Sequence, residues 1–449
     1  MYRTILQKLN LIEQDIESIV PVQSDNGDTH YLLTLKKTEH ICPFCGSMTS
    51  RVKDYHQRKI RSRIFIDSNT IVFYNCRRYF CPHCGRSFVE RHPFSGGRHV
   101  VSPTTVHHVL IDLKPYNATF SSVAKKYGLS VPTVIDIFDK HVQIPPKQLP
   151  EVMCWDEFYF NRHSKYKYAF LILNFSNSLI IDILESRKTP FLSDYFYSIP
   201  ISQRSRVKFI IIDMYEHYRR ISQIYFPGAL LCTDPFHVVK NLNDSLNRVR
   251  KTVMAAWSRD KGSQEYRLLK YRRHYLFRHR AQLDYIHTRF DCILGYHTTD
   301  RNLVDIILKI DNRLSMAYAI KEDYMEFNEE TEESFPGREK KEKRLDQLIM
   351  KCLASELSPM ISFGRMLASW KEEILNSFTW INGKRASNGP IEGKNSYIKK
   401  ILSNANGFSN FKRARNRIIY SQNRYEKYSI HEHDKSVKRK GKARGKYKK

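Results

Sequence analysis

The sequence contains no apolar run that approaches the roughly 20 residues needed to span a membrane. Its start, MYRTILQKLNLIEQDIESIV, is too acidic and too interrupted for a secretory signal peptide. An integral membrane protein and a secreted protein are therefore both disfavoured. We expect a cytoplasmic protein with no membrane partner.

Acidic residues are scarce relative to basic ones. The 449-residue chain has 46 Asp+Glu against 75 Lys+Arg, which gives a formal net charge of +29. Such a surplus attracts phosphate polymers, so a nucleic acid is the expected partner, with an anionic membrane surface as the competing one. The apolar content of 41% is that of a globular chain, and the length predicts two to four domains.

Cysteine is sparse along most of the chain, but five of the nine cysteines lie between Cys42 and Cys84. Two copies of one pattern, CPFCG and CPHCG, occur at 42–46 and 81–85. Each C-x-x-C turn directs two thiolates to one point, and the glycine that follows permits a positive φ. The predicted ligands of one structural, tetrahedral Zn²⁺ are Cys42, Cys45, Cys81 and Cys84.

Alternatives remain open around this zinc site. Cys76 or His83 can replace a ligand, and the two turns can also exist without metal. Arg77 and Arg78, beside the second cysteine pair, are candidates to contact DNA phosphates, unless they only form a basic solvated surface. The remaining cysteines are expected to be small buried hydrophobic residues: Cys154, Cys232, Cys292 and Cys352.

The segment TFSSVAKKYGLSVPTVIDIFDKH, residues 119–141, predicts two helices joined by a tight turn. Gly128 suits a left-handed turn position, and Ser130 can cap the second helix with Pro132 in its first turn. In a DNA-binding helix-turn-helix, the residues from Ser130 to Thr133 begin the recognition helix and face the major groove. An ordinary helical hairpin is the alternative.

An α/β pattern follows the proline-rich segment IPPKQLPE. Its five β-rich runs are EVMCWDEFYF, YKYAFLILNF, SLIIDILES, RVKFIIIDM and GALLCTD. From about 245 to 380 the pattern is helical and charged, with no convincing strand. Within it, residues 326–344 have no apolar face and predict an exposed loop. The C-terminal run DKSVKRKGKARGKYKK predicts a disordered basic tail.

Aspartates mark three of the β-rich runs. Asp156 lies within the first run, Asp213 directly follows FIII, and Asp234 ends the fifth run. Polar groups at the carboxyl ends of strands in an open α/β sheet face the crevice where ligands bind. An aspartate that directly follows four apolar residues is poorly explained as part of a solvent-exposed face.

A lone glutamate, Glu392, lies in the otherwise basic segment RASNGPIEGKNSYIKKI, one turn into a helix that Asn388 can cap. A first-turn carboxylate gains only roughly 0.3–1 kcal/mol from the helix dipole. The alternative is that Glu392 converges with Asp156 and Asp213. Three like charges then require cations, and two Mg²⁺ or Mn²⁺ ions roughly 4 Å apart fulfil that need.

At these residues the chain resembles the insertion-sequence DDE transposases of the ISL-three family. The matching segments are CWDEFYF, then IIDMYEHYRRISQIYFPGALLCTDPFHVVKNLN, then SNGPIEGKNSYIKKI with NGFSNFKRARNRI. The resemblance implies an RNase H-like fold interrupted by a helical insertion, with Asp156, Asp213 and Glu392 as catalytic and magnesium-binding residues. Supporting roles are expected for residues in the same motifs: Asp234, His237 and Asn388.

The fold class expected from these features is multidomain. It has an N-terminal zinc-binding module and a helix-turn-helix, then an α/β RNase H-like catalytic core with an all-helical insertion. The expected boundaries are 1–95 for the zinc module, 96–145 for the helix-turn-helix, 146–245 for the first part of the core, 246–380 for the insertion, 381–425 for the last core helix and 426–449 for the tail.

The function implied is that of a bacterial, nucleoid-associated DNA transposase. It would bind terminal inverted repeats, cut the strand at the element end and join that end to target DNA, acting as a homodimer on double-stranded DNA. Three other functions remain open. They are a DNA-binding regulator with an inactive core, an RNase H-type nuclease, and a scaffold derived from a transposase.

Overall fold

The computed structural model describes residues 6, 9, 11–23, 29–61, 71–90, 101–161 and 164–429. The chain divides into two compact units, residues 1–145 with 397–449, and residues 146–396. No helix in the described ranges is long and apolar enough to cross a bilayer. The basic tail expected at 426–449 lies, from residue 430 onward, outside the described residues, as do residues 96–100 of the expected helix-turn-helix domain.

The strands are, in chain order, β1 Ile16–Gln23, β2 Thr29–Leu35, β3 His40–Ile41, β4 Met48–Thr49, β5 Val52–Arg61, β6 Ile71–Phe80, β7 Ser87–Val89, β8 Val152–Tyr159, β9 Tyr168–Asn174, β10 Ile180–Leu184, β11 Phe209–Ile212, β12 Leu230–Thr233, β13 Arg289–Asp291, β14 Tyr296–Thr298, β15 Trp380–Ile381 and β16 Lys384–Arg385.

The α-helices are α1 Pro103–Asp112, α2 Phe120–Tyr127, α3 Val131–His141, α4 Thr189–Ser198, α5 Ile201–Arg204, α6 Glu216–Tyr225, α7 Pro235–Ala256, α8 Gln264–Tyr271, α9 Asp300–Leu308, α10 Asn312–Asn328, α11 Arg338–Leu353, α12 Ser358–Ser369, α13 Lys371–Asn376, α14 Gly389–Asn404 and α15 Phe411–Gln422. Short 3-10 turns occur at Glu13–Asp15, Arg273–Phe277 and Arg280–Gln282.

In the first unit, a small sheet supports the cysteine turns. Its strands lie in the order β1-β2-β6-β5, with β7 also paired to β6. Alternate residues of β6 point into a core that contains Val72, Tyr74 and Cys76, each at most 1% exposed. This alternation places Cys81, directly after β6, at the end of a well-packed strand.

The predicted helix-turn-helix is present as α2 and α3. Gly128 joins the helices with φ +59°, and Ser130 Oγ accepts a hydrogen bond from the backbone N–H of Thr133 at 3.3 Å. The C-terminal helix α15 packs on this hairpin, where the rings of Phe138 and Tyr420 lie 6.0 Å apart. The sequence did not indicate this contact, since residues 138 and 420 belong to separate motifs.

The second unit is built on a five-stranded mixed sheet in the order β10-β9-β8-β11-β12. Strands β8, β9 and β10 pair antiparallel, while β11 pairs parallel with both β8 and β12. All five correspond to the five predicted β-rich runs. On one face Trp155 is fully buried, stacked on Phe196 with ring centroids 5.0 Å apart and met edge-on by Phe226.

The segment between β12 and α14 is mostly helical but not entirely so. A short antiparallel hairpin, β13 and β14, pairs Phe290 with His297, so the expectation of an all-helical insertion without strands is wrong. Three-residue strands are too short to give a readable alternation.

The exposed loop expected at 326–344 is shorter than predicted. Helix α10 continues to Asn328 and α11 begins at Arg338. Lys341 is fully buried, because its ammonium group donates to Phe327 O and lies 4.0 Å from the centres of two phenylalanine rings. A lysine that packs along aromatic rings gives no apolar signal in the sequence.

Candidate active site and zinc centre

Asp156 lies on β8, and Asp213 directly follows β11, the neighbouring parallel strand. Ile211 of β11 pairs with Cys154 of β8, so Asp213, two residues beyond Ile211, comes level with Asp156. Because side chains alternate along a strand, Asp156 lies on the sheet face opposite the buried Trp155. Both aspartates are half-buried.

Helix α14 is anchored to that same face of the sheet. The side-chain amide of Asn388 donates to Trp155 O at 3.3 Å, and its backbone N–H donates to Asp234 Oδ1 at 3.2 Å. Asn395, farther along the helix, donates to Asp156 Oδ2 at 2.6 Å. Glu392 lies three residues before Asn395, on the same side of the helix, and its side chain is exposed.

Burial and like charge perturb the first aspartate. Burial raises the pKa of Asp156 to about 6; the N–H of Glu157 opposes this shift, and the charges of Glu157, Glu392 and Asp234 add to it. Glu392 is therefore close enough to Asp156 for their charges to interact, although 236 positions separate them in the sequence.

The second aspartate is perturbed in the same direction. Burial raises the pKa of Asp213 to about 7, reinforced by the charges of Glu157 and Asp156 and opposed by Arg187. Asp213 Oδ1 is a buried acceptor with no hydrogen-bond partner among the described residues. An unpartnered carboxylate oxygen beside other acids is the environment that a cation would stabilise.

The donor set fits hard divalent cations, because carboxylate oxygens suit Mg²⁺ and Mn²⁺. In the described part of the chain, one group of three or more potential metal ligands has its ligand atoms within 4.8 Å of one another. That group is the four cysteines, and the acids are not part of it. Two ions roughly 4 Å apart, each with ligands at roughly 2 Å, accommodate carboxylates up to about 8 Å apart. The three acids do not form so compact a group as the cysteines, and a pair of ions would require their carboxylates to lie within that distance.

Glu157, next to Asp156 in the sequence, has its own partners. It forms an ion pair with Arg187 and accepts a hydrogen bond from the Tyr218 hydroxyl at 2.5 Å. Arg187 also lies over the ring of Tyr168, 4.5 Å from its centre. Because side chains alternate along the strand, Asp156 faces α14, whereas Glu157 points to the other side and is neutralised by Arg187.

The expected supporting residues connect strand and helix. Asp234 is 2% exposed, and His237 Nδ1 lies 3.3 Å from Asp234 Oδ2. Burial raises the pKa of Asp234, against the hydrogen bond from Asn388. Asn388 lies at the predicted cap position, where its backbone oxygen accepts the N–H of Glu392 at 3.0 Å, but its Oδ1 accepts no hydrogen bond from the described residues. Its amide is instead used for the contact with Trp155 O.

The four predicted zinc ligands come together at the end of the small sheet. Cys42 Sγ lies 3.6 Å from Cys84 Sγ, and Cys45 Sγ lies 3.6 Å from Cys81 Sγ. All four sulfurs lie within 4.8 Å of one another, which fits a tetrahedral Cys₄ zinc site. A backbone hydrogen bond from Ser47 contributes most to lowering the pKa of Cys45 to about 6, and this favours the thiolate.

The two cysteine turns have the same backbone geometry. Gly46 N–H donates to Cys42 O and Gly85 N–H donates to Cys81 O, both at 2.9 Å, with φ of +76° and +68° at the glycines. The repeated glycine in the sequence is thus explained by the left-handed backbone that each turn requires.

Neither alternative ligand belongs to this group. Cys76 is 1% exposed in the sheet core, where burial raises its pKa to about 11, and His83 is exposed. The expectation of burial for the other cysteines is confirmed for Cys154, Cys232 and Cys352 and is wrong for Cys292, which is exposed.

The two arginines proposed as DNA contacts have different environments. Arg77 is 1% exposed, lies 3.6 Å from Glu90 and donates to Glu17 at 2.6 Å, so its predicted phosphate contact is wrong. An arginine held between two carboxylates cannot reach a phosphate without breaking those contacts. Arg78 is half-exposed and paired with Asp54. At the recognition-helix start, Ser130 and Pro132 are exposed and Thr133 is half-buried.

Two family models match the chain. The family model of the ISL3-type DDE transposases, described as "Transposase", matches residues 153–418. A second model, "zinc-finger of transposase IS204/IS1001/IS1096/IS1165", matches residues 38–84.

The chain belongs to the ISL3 family of DDE transposases. The transposase for insertion sequence element IS1001 from Bordetella parapertussis is 26% identical over 250 residues, which cover 54% of this chain and 60% of that relative. The zinc-finger match includes all four cysteine ligands. The DDE match includes Asp156, Asp213 and Glu392.

Asn395 is the site residue that the sequence analysis missed. Asn395 comes three positions after Glu392, so the two residues share one helix face, and that face meets Asp156. That spacing was visible in the sequence, but nothing there indicated which helix face meets the sheet.

Proposed function

We propose that this chain is a DNA transposase that binds the terminal inverted repeats of its insertion sequence and performs metal-dependent strand cleavage and strand transfer. Asp156, Asp213 and Glu392 are its catalytic carboxylates. The single observation that carries this proposal is that α14, the helix of Glu392, is tied to Asp156 by the Asn395 hydrogen bond at 2.6 Å, on the strand next to the one that Asp213 follows.

The sheet topology supports an RNase H-like core. The order β10-β9-β8-β11-β12, with three antiparallel strands followed by parallel ones, puts the first and fourth strands of the core side by side at its centre. The first carboxylate then lies on β8 and the second at the end of β11. The third lies on α14, after the helical segment.

The chemistry proposed is two successive in-line displacements at phosphorus. When bound, Mg²⁺ or Mn²⁺ activates the attacking water or 3′-hydroxyl and neutralises charge on the leaving oxygen. Asp156 and Asp213 would bind the ions from the sheet, and Glu392 would complete the ligand set from α14. Water attacks phosphorus first, and the P–O3′ bond at the element end breaks to free a 3′-hydroxyl. This hydroxyl then attacks a phosphorus of the target DNA and displaces a target 3′-hydroxyl, with no covalent protein intermediate.

DNA recognition is assigned to the first unit. The exposed start of α3, with Ser130 and Pro132, suits a major groove, and the zinc site stiffens the adjoining sheet. The formal charge of +29 supplies nonspecific affinity for phosphates. Two element ends have to be held together, so a homodimer on DNA is expected.

The decisive experiment measures Mg²⁺-dependent nicking of a labelled duplex that carries the end of the encoding insertion sequence, against a scrambled duplex. Wild type should nick at the element end, and Glu392→Gln should bind that end equally well but nick at background. Glu372→Gln is the matched control, because Glu372 is also an exposed first-turn glutamate. It should nick like wild type.

Three results would contradict the proposal. Nicking that survives in Glu392→Gln and Asp156→Asn would exclude these carboxylates. Specific binding of the end without nicking by wild type would favour a regulator. Preferential cutting of an RNA–DNA hybrid would favour an RNase H-type nuclease.

A further inference from the structure

Asn395 makes a short hydrogen bond to the carboxylate of Asp156. Its Nδ2 donates to Asp156 Oδ2 at 2.6 Å, while Oδ1 of the same carboxylate accepts the backbone N–H of Glu157 at 2.8 Å. Asn395 itself is 7% exposed. A buried amide therefore ties α14 directly to the carboxylate and not merely to the strand.

The chemistry of the pair determines how the amide is turned. An ionised carboxylate only accepts hydrogen bonds, so the NH₂ of Asn395 has to face Asp156. Its Oδ1 then remains a buried acceptor with no hydrogen-bond partner among the described residues. A buried acceptor without a hydrogen bond is unfavourable. A residue that only joined the helix to the sheet would not need to leave its amide oxygen in that state.

Asn388 provides the comparison within the same structure. It also ties α14 to β8, but its side-chain amide donates to the backbone oxygen of Trp155 at 3.3 Å, and its backbone N–H donates to Asp234, which is not one of the three proposed metal ligands. Both asparagines anchor the helix, yet only Asn395 constrains the rotamer of a proposed metal ligand.

We propose that Asn395 is a positioning residue that sets the orientation of the Asp156 carboxylate relative to Glu392. The inference rests on the proposed function, since it concerns the same site. Its physical basis is that a carboxylate held by two N–H donors loses little freedom when a cation binds. Residues that orient ligands in this way typically change metal affinity or activity 10–100-fold when they are mutated.

The test is a Mn²⁺ titration followed by thermal unfolding of the full chain, which reads metal binding without DNA or turnover. Asn395→Ala should weaken apparent Mn²⁺ affinity roughly 10–100-fold. Nicking by this variant should recover substantially at saturating metal, which separates an affinity defect from a defect in the chemical step. Asn404→Ala, at the exposed end of the same helix, should match wild type in both assays.

Two further variants separate positioning from anchoring. Asn388→Ala should lower the metal-free melting temperature with a smaller loss of Mn²⁺ affinity than Asn395→Ala. Asn395→Asp places a second negative charge against Asp156, so it should lower the metal-free melting temperature and enlarge the stabilisation by Mn²⁺.

The inference fails if Asn395→Ala lowers the metal-free melting temperature as Asn388→Ala does while Mn²⁺ affinity stays at the wild-type value. That result would leave the proposed function intact, provided that Asp156→Asn abolishes Mn²⁺ binding. If wild type and Asp156→Asn respond identically to Mn²⁺, the metal site fails and the positioning role fails with it.

Discussion

Asn388 donates its backbone N–H to Asp234 Oδ1 at 3.2 Å, and this bond joins the start of α14 to the end of β12 across 154 positions of sequence. Asp234 is buried, so the acceptor is shielded from water and the bond is correspondingly costly to break. The position of Glu392, one turn farther along the helix, depends on this anchor.

The metal-free protein should lose stability as the pH rises. The pKa values of Asp156 and Asp213 are raised from 3.8 to about 6 and about 7. Folding thus favours their protonated forms, and this contribution is complete below about pH 4 and is lost as the pH rises through 6 and 7. Asp213→Asn should flatten the slope between about pH 4 and 7 and raise the melting temperature at pH 8 by roughly 2–4 °C.

This pH effect has a clear control and a clear contradiction. Asp194→Asn changes an exposed aspartate of the same unit and should leave the slope as in wild type. Mg²⁺ should stabilise wild type at pH 8 more than Asp213→Asn. Parallel melting curves for wild type and Asp213→Asn in chelator would show that Asp213 does not carry the effect.

The Cys₄ site should hold one zinc that the first unit needs for stability. Cys81→Ser should reduce zinc from about one per chain to near zero and expose the sheet to proteolysis, because structural zinc supplies folding free energy. Cys292→Ser alters an exposed cysteine and should keep zinc and stability. Stoichiometric zinc in Cys81→Ser by metal analysis would mean that another residue completes the site.

Alanine substitutions of the neighbouring residues Arg77 and Arg78 should have different effects on stability and on DNA binding. Arg77→Ala removes the buried cation beside Glu90, which keeps its hydrogen bonds from the Tyr74 hydroxyl and the backbone N–H of residue 77 but loses its counter-charge. The variant should therefore destabilise the module by roughly 3–5 kcal/mol in denaturant unfolding. Arg78→Ala should leave stability nearly unchanged. If Arg78 contacts phosphate, that variant should reduce the salt dependence of DNA binding by about one ion. If the salt dependence of DNA binding is unchanged in Arg78→Ala, Arg78 does not contact phosphate and serves only in its ion pair with Asp54.

Gly364 marks a close approach of α12 to α11. A Cβ at this position would lie 2.7 Å from Cβ of the buried Cys352. Gly364→Ala should therefore cost roughly 1–3 kcal/mol of unfolding free energy. Gly393 is also helical but has nothing within 4 Å of its added Cβ, so Gly393→Ala should stabilise by roughly 0.5–1 kcal/mol. Equal effects in chemical denaturation would contradict the packing argument.

Local chemistry that repeats at short range was readable in the sequence. The C-x-x-C-G turns at Cys42 and Cys81, the left-handed Gly128 and the cap at Ser130 each depend on a few adjacent residues, and all three have the predicted geometry. The five strands of the mixed sheet were readable because each is an apolar run bounded by turn residues. The hairpin at 289–298 was not, because its strands have only three residues each.

The sequence by itself determined which residue types were available: four thiols in two identical turns, and carboxylates at the ends of apolar strands. Only the tertiary structure decided which of them meet. Strand alternation turned Asp156 toward α14 and left Glu157 to Arg187, while long-range pairing buried Arg77 and brought Asn395 onto Asp156. These outcomes depend on contacts between residues tens to hundreds of positions apart, and no local pattern encodes such contacts.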